Sequence, residues 1–335
     1  MIQIQTGSRL HFGLFSLPAD HAEPWPNHAG TPTLPQRQFG GVGLMVKEPG
    51  IRLTFEEAKK WSAEGLHADR ALQFAVACCN SLHIQTAYHM RIVSPAPQHV
   101  GLGTGTQLGM AIASALHAVA RHDGKECNVV QMAALIGRGQ RSAIGIHGFE
   151  HGGFLVEAGK RSDAEISPLL IHCDFPTEWS ILLVVPRDLQ GVHGSREAAA
   201  FSSLKREPVD ERATEAMCRI VLLGMVPALI ERDLETFGEA LHEFNYRAGT
   251  MFRPFQGGVY SHPRVEQIVT CLREFGIPGV GQSSWGPATF AVTDQAHAAQ
   301  TWLVRKGVIS SDEAIIATPC NHGAETTIPT KSADG

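Results

Sequence analysis

Residues 97–119 read PQHVGLGTGTQLGMAIASALHAV, and the fold turns on the first half of that stretch. Gly101, Gly103 and Gly105 alternate with Leu102, Thr104 and Thr106. After Gln107, Leu108, Ile112, Leu116 and Val119 recur at helical spacing. Upstream, TAYHMRIV (86–93) alternates as a strand, which Pro95 and Pro97 stop. Glycines between a strand and a helix let successive backbone N–H groups turn toward one point, and the helix N-terminus adds partial positive charge there. Thr104 and Thr106 supply hydroxyl donors. The stretch is therefore an anion cradle. One helix terminus contributes only about 0.3–2 kcal/mol toward an anion, so a diphosphate needs cations from elsewhere in the chain. The loop is not a P-loop, because no Gly-Lys-Ser/Thr follows. Nor is it a dinucleotide fingerprint, because Thr106 stands at the third glycine position.

Outward from the loop, the first half is rich in strands and the second in helices. Residues 1–17 alternate as extended chain, and 18–37 carry five prolines and read as a long loop. Strand patterns follow at 39–46, 51–55, 152–159, 167–173 and 179–186. A helix is predicted over 67–82, with Leu72, Val76, Cys79 and Leu82 on its apolar stripe. After Pro186 the periodicity predicts helices over 210–231, 233–247, 263–275 and 295–306, and strands at ATFAVT and AIIAT. GIPGVGQSSWGP reads as a connector, and the polar tail after Pro319 as structureless. The class is α+β, split near residue 175.

Composition narrows the function. A net charge of -5 with no long Lys/Arg run argues against wrapping nucleic acid, so any phosphate must sit in a local pocket. Seven cysteines without a C-x-x-C pair fit reduced, mostly buried thiols. The N-terminus has no basic, then apolar, leader pattern, and no uninterrupted apolar run reaches membrane-spanning length. The expectation is a cytoplasmic protein with no membrane partner.

Pro97–Thr106 (P-x-x-x-G-L-G-T-G-T) resembles the phosphate motif of the GHMP kinases, P-x-x-x-G-L-G-S-S-A. SRLHFGL (8–14) and GVGQSSWGPATF (279–290) stand where that superfamily places its first and third motifs. Together with FGGVGLMV, GRGQRSAIGIHGFEHGGFLVEAG (137–159), NYRAGTMF (245–252) and QGGVYSH (256–262), these blocks are most similar to β-ribofuranosylaminobenzene 5'-phosphate synthases. The resemblance spans about Gln5 to Phe290.

It implies a two-domain GHMP-kinase-like fold. Residues 1–175 would form a ribosomal-protein-S5-like N-terminal domain, 176–320 a ferredoxin-like α+β C-terminal domain, and 321–335 a polar tail. It implies a decarboxylating phosphoribosyltransferase that condenses phosphoribosyl pyrophosphate with 4-aminobenzoate in tetrahydromethanopterin synthesis, as a homodimer using magnesium (Mg2+). The alternative is an ATP-dependent small-molecule kinase. Against it, many GHMP kinases carry Ser-Gly-x-Asp where this chain has Ser142-Ala143-Ile144-Gly145, and Gly145 cannot accept a proton.

Candidate site residues follow from the chemistry. Loss of pyrophosphate needs preorganised donors, for which Gly101, Gly103, Thr104, Gly105, Thr106, Gln107, Ser142, Ser283 and Ser284 are available. A carboxylate on the second substrate suits an arginine fork. Arg9 and His11 share one strand face, and Arg138 and Arg141 lie close in sequence. Trp285 is positioned to stack on an aromatic ring. Glu150 is a candidate metal ligand, a partner for the ribosyl cation, or a buried acid paired with Arg141. His147-Gly148-Phe149-Glu150-His151 fits the zinc pattern H-x-x-E-H, but that motif needs a stable helix, and Gly145, Gly148, Gly152 and Gly153 argue against one. The metal ligands, the choice between 4-aminobenzoate and 4-hydroxybenzoate, and the phosphate held by the loop stay open at this level.

Overall fold

A computed structural model of the chain describes residues 1–17, 37–93, 98–120, 128–192, 194–204 and 211–328. Most of the Pro-rich segment, Pro95, Pro97, Cys127 and the last seven positions, 329–335, lie outside the described residues. The elements run β1 (Ile2–Leu14), β2 (Gly41–Ala58), β3 (Ser62–Gly65), α1 (Ala68–Leu82) and β4 (Ala87–Val93). Next come α2 (Thr104–Ala120), α3 (Val129–Leu135), α4 (Ile144–His151), β5 (Phe154–Glu157), β6 (Leu169–Cys173) and β7 (Ser180–Val184). The helical stretch has α5 (Gly194–Leu204), α6 (Glu211–Ile220), a π-helical segment Val221–Met225, α7 (Val226–Glu231), α8 (Leu234–Met251), α9 (Arg253–Gln256) and α10 (Pro263–Glu274). Then follow β8 (Gly279–Gln282), β9 (Thr289–Thr293), α11 (Ala296–Arg305), β10 (Ala314–Ala317) and β11 (Glu325–Thr327).

The first sheet has the order β11-β1-β2-β4-β3, with β5 on the other stretch of β2 and β6 outside β5. The second is antiparallel in the order β10-β7-β9-β8. One apolar core joins them. Leu10, Phe12, Val42 and Phe154 of the first sheet pack with Ile181, Leu183 and Phe290 of the second, and with Phe237 and Phe244 of α8. The Phe12 ring lies 5.0 Å from Phe290 and 6.5 Å from Phe154. Truncating such a residue costs about 3–5 kcal/mol.

A bulge in β1 sets up the site. The β1–β2 register shifts between Thr6 and Ser8. Before the shift, Ile2 and Ile4 pack with α1 and α2; after it, Leu10 and Phe12 pack between the two sheets. All four are even-numbered, so the extra residue has turned the strand over. Arg9 and His11 are thereby left on the side of the α2 N-terminus. Gly7 is required at the bulge, because a Cβ there would run into the Val46 carbonyl.

Several expectations fail for tertiary reasons. The buried stripe of α1 is Ala71, Phe74, Ala75 and Cys78, and Val76 is exposed. Phe74 and two alanines dock against α2 better than the branched stripe. Of the six described cysteines only Cys78 and Cys320 are buried. Residues 144–151 do form a helix, α4, despite their glycines. A Cβ on Gly148 would stand 2.5 Å from the Met45 Sδ, so close packing on β2 outweighs the helix cost of about 1 kcal/mol for each glycine. The connector GIPGVGQSSWGP contains the edge strand β8. Residues 325–327 are not a structureless tail but pair with Gln3–Gln5 of β1. Residues 212–231 form a helix long and apolar enough to cross a membrane by length and composition, although Arg219 interrupts its apolar run, as the sequence expectation has it. Met217, Val221, Met225 and Leu229 of that run are seated in the shared core.

Candidate active site

Three segments distant in sequence interlace where the two sheets meet: residues 8–14 of β1, the glycine loop, and the turn 282–286. The Arg9 N–H donates to Leu102 O at 3.0 Å. The His11 N–H donates to Ser283 Oγ at 3.0 Å, and that hydroxyl donates to Gly101 O at 2.7 Å. The Ser284 N–H donates to His11 O at 3.0 Å, and the Ala288 N–H to Val100 O at 3.0 Å. Such approach leaves no room for side chains at two glycines. Gly101 (φ 96°) abuts the Ser283 carbonyl, and Gly286 abuts Val100. Asn245, buried in mid-α8, locks the arrangement. Its Nδ2 donates to Phe12 O at 2.6 Å and Gln282 O at 2.8 Å, and its Oδ1 accepts from the Gln282 N–H at 2.9 Å. The periodicity ended this helix at residue 247, which would put Asn245 in its last turn; the helix continues to Met251.

The result is a cleft of about 500 Å³ with two chemically different ends. One end is the glycine loop at the start of α2. Arg9 lies against it: a Cβ on Gly103 (φ 69°) would meet Arg9 Cβ at 3.1 Å. Arg70 of α1 and Arg138 close the same end, both stacked on the Phe74 ring at 5.7 and 5.5 Å. Their Nη2 atoms lie 3.0 and 3.4 Å from where a Gly105 Cβ would be. The other end is aromatic. Trp285 packs between Phe201 and Phe252, with ring centroids at 5.0 and 4.7 Å. The Arg141 guanidinium sits 4.5 Å above Phe201. Trp285 Nε1 is buried with no hydrogen-bond partner among the described residues, as is Thr104 Oγ1. The described lining of this cleft contains arginines and two histidines, His11 and His99, but no Asp or Glu.

His11 and Ser142 stand between the two ends, with His11 Nε2 3.1 Å from Ser142 Oγ. Burial, and then the neighbouring Arg9 charge, push the His11 pKa well below its usual value, so the imidazole is neutral at neutral pH. Arg70 is also shifted down by burial; a guanidinium stays charged regardless.

Of the residues singled out in the sequence, Arg9, His11, Arg141, Ser142, Gly101, Gly103, Thr104, Gly105, Thr106, Ser284 and Trp285 line this one cleft. Three do not. Gln107 is buried beneath the loop, accepting from Thr6 Oγ1 at 2.6 Å and donating to Gly145 O at 2.7 Å. Ser283 is wholly buried and spends its hydroxyl on the segment crossing. Glu150 lies outside the cleft and pairs with His151 at 3.2 Å rather than with Arg141. The helical rise of α4 carries it away from Ser142. His147, its neighbour in the zinc-like pattern, meets the Ser167 carbonyl at 2.8 Å, and no cluster of three His, Cys, Asp or Glu suited to a metal exists among the described residues. Sequence reading missed Arg70, Phe201, Phe252 and Tyr260. Arg70 had a faint signal, a charge one turn from Phe74 on the helix preceding the loop strand.

Comparison with known proteins places this geometry. Residues 225–303 match the GHMP kinases C-terminal family. A homoserine kinase from Cytophaga hutchinsonii superposes with a TM-score of 0.63 at 14% identity, covering 97% of each chain. A mevalonate diphosphate decarboxylase from Staphylococcus aureus superposes at 0.61 and 15% identity, covering 98% of this chain and 99% of the other. Both show the fold alone. The β-ribofuranosylphenol 5'-phosphate synthase of Methanothermobacter thermautotrophicus is 31% identical over 87% of this chain and 88% of its own length. The same-named protein of Archaeoglobus fulgidus is 30% identical over 88% of each. The chain thus has the GHMP-kinase fold and belongs to the β-ribofuranosylphenol 5'-phosphate synthase family, enzymes of the transferase type.

Proposed function

We propose that the enzyme joins phosphoribosyl pyrophosphate to a para-substituted benzoate, releasing pyrophosphate and carbon dioxide and forming a bond between the anomeric carbon and the ring. The observation that carries this reading is the cleft with an arginine-lined phosphate loop at one end and an aromatic cluster at the other. As pyrophosphate leaves, positive charge grows on the ribose and negative charge on the departing oxygens. The loop N–H groups, the α2 N-terminus, Arg70 and Arg138 are preorganised for the negative charge. The aromatic acid attacks through the ring carbon that bears its carboxylate, driven by the electron-donating para group. The pair of electrons in the carbon–carboxylate bond then returns to the ring as carbon dioxide departs. Arg141 is placed to hold the carboxylate. Trp285, Phe201 and Phe252 offer the ring its stacking surface.

The motif resemblance points to an amino para group and the name of the relatives to a hydroxyl, so both acids are assayed. Magnesium, implied by the resemblance, finds no carboxylate ligand in the described lining. A site for this ion ordinarily uses one or two carboxylates with substrate phosphates, which the described lining does not supply. The test is a product assay with phosphoribosyl pyrophosphate, magnesium and carboxyl-labelled 4-aminobenzoate or 4-hydroxybenzoate, beside a parallel assay with ATP and hydroxyl acceptors. Labelled carbon dioxide that requires both substrates supports the proposal. ADP formation without carbon dioxide overturns it in favour of a kinase.

A further inference from the structure

We propose that Glu157 is a positioning residue for the cleft: acting through the Ser142 hydroxyl, its charge decides which nitrogen of His11 carries the proton. Glu157 ends β5, in register with Gly41 of β2. Gly41 leaves open a passage across the sheet, because a Cβ there would stand 3.2 Å from His11 Nε2 and 3.3 Å from Cε1. Ser142 occupies that passage. Its Oγ is 3.1 Å from His11 Nε2 and accepts the Ile144 N–H at 3.3 Å, and the Glu157 carboxyl lies beside it, bonded to the N–H of the next residue, Ala143. Glu157 is wholly buried. Its Oε2 accepts the Ala143 N–H at 2.7 Å, while Oε1 has no hydrogen-bond partner among the described residues. A buried carboxyl with an idle oxygen is costly, and nothing in the proposed chemistry uses Glu157 directly.

The groups facing this carboxyl are few. Arg9 and His11 come from β1, Ser142 and the Ala143 N–H from the start of α4, and Ser167 from the segment before β6. β2 presents Gly41 and β6 presents Leu169, neither titratable. Burial pushes the Glu157 carboxyl up to about 7, although Ser142, the Ala143 N–H, Ser167 and Arg9 pull it down. His11 is held far below that value by burial and Arg9. Near neutral pH the acid therefore changes charge while the imidazole stays neutral.

Ser142 has one proton to give. When Glu157 is protonated, it donates to Ser142 Oγ, and Ser142 donates to His11 Nε2, which leaves the imidazole proton on Nδ1. When Glu157 has lost its proton to solvent, Ser142 donates to the carboxylate. It then accepts from His11, whose proton must sit on Nε2. The imidazole holds one proton in both states, and only its position changes. The ring thus presents a donor or an acceptor to the cleft according to the state of an acid the substrate never touches.

The experiment is nitrogen NMR of histidine-labelled protein from about pH 5 to about pH 9, spanning the carboxyl's range. The subjects are wild type, Glu157→Gln and Ser142→Ala, with His11→Asn to identify the resonances. In wild type the two His11 nitrogens should exchange their protonated and unprotonated shifts with a midpoint near the Glu157 value of about 7. Glu157→Gln should stay in the low-pH form throughout, since its amide donates to Ser142 as the acid does. Ser142→Ala retains the acid but should lose the midpoint, and it keeps the proposal testable if the glutamine variant does not fold. Absence of the midpoint in wild type, or its survival in either variant, overturns the proposal. The kinetic counterpart rests on the proposed synthase reaction: the pH profile of kcat/KM for the aromatic acid should lose its inflection near 7 in Glu157→Gln. The NMR readout needs no turnover, so failure of the synthase reading and failure of this inference are distinguishable.

Discussion

Replacing Glu157 by Gln should stabilise the protein, and by more as the pH rises. The carboxyl is wholly buried and its pKa is raised from 4.5 to about 7, chiefly by desolvation. The sign follows from linkage. Below 4.5 both the folded and the unfolded chain hold the proton, and the group adds no pH dependence. Between 4.5 and 7 the unfolded chain releases its proton while the folded chain keeps it, so folding stability falls as the pH rises. Above 7 the folded chain carries a buried carboxylate and the deficit is complete. At about 1.4 kcal/mol for each tenfold change in proton affinity, the full deficit is about 3 kcal/mol. Glutamine has no such term, and its carbonyl oxygen can still accept the Ala143 N–H. Denaturant unfolding of both proteins at about pH 5 and about pH 8 should show the variant gaining about 2–3 kcal/mol on wild type between the two conditions. His11 contributes the opposite slope. Its depressed pKa costs stability as the pH falls through the unfolded value of 6.5, but it is present in both proteins and cancels in the comparison. A variant whose advantage does not grow with pH would refute the argument that desolvation dominates at Glu157.

Four further substitutions test the cleft. Gly103→Val places a β-branched residue at φ 69° against Arg9, a backbone cost of about 1–2 kcal/mol. The protein should fold, with phosphoribosyl pyrophosphate binding lost by calorimetry; unchanged affinity would sink the cradle assignment. Trp285→Phe keeps most of the stacking surface but deletes the buried indole N–H, which has no partner among the described residues. It should raise KM for the aromatic acid about fivefold, equivalent to about 1 kcal/mol, with phosphate affinity unmoved. Glu150→Gln should leave kcat and KM at wild-type values, since that carboxylate pairs with His151 outside the cleft. Asn245→Ala removes bonds to Phe12 O, Gln282 O and the Gln282 N–H. It should lower the unfolding free energy by about 1–3 kcal/mol or more, measured by denaturant titration.

Much of the site was legible because its signals are local. Alternating glycines before a helical apolar stripe predict a tight turn at a helix N-terminus, which Gly101, Gly103 and the start of α2 form, and two-residue spacing puts Arg9 and His11 on one strand face. The order of the motif blocks pointed to the fold and the family that comparison shows. What stayed hidden depends on register and close approach. The bulge at Gly7 is invisible to alternation, since Ile4 and Leu10 keep the same parity while their faces differ. Helix propensity argued against α4, yet its glycines are there to let a helix lie on β2. Glu150 had the right residue type one turn too far along that helix. Glu157 looked like an ordinary strand residue until β2 brought it across Gly41 to Ser142 and His11. Patterns of period two and three and a half belong to single segments and are written in the sequence. Which segments cross, and at which glycine, is decided only when the two sheets share one core.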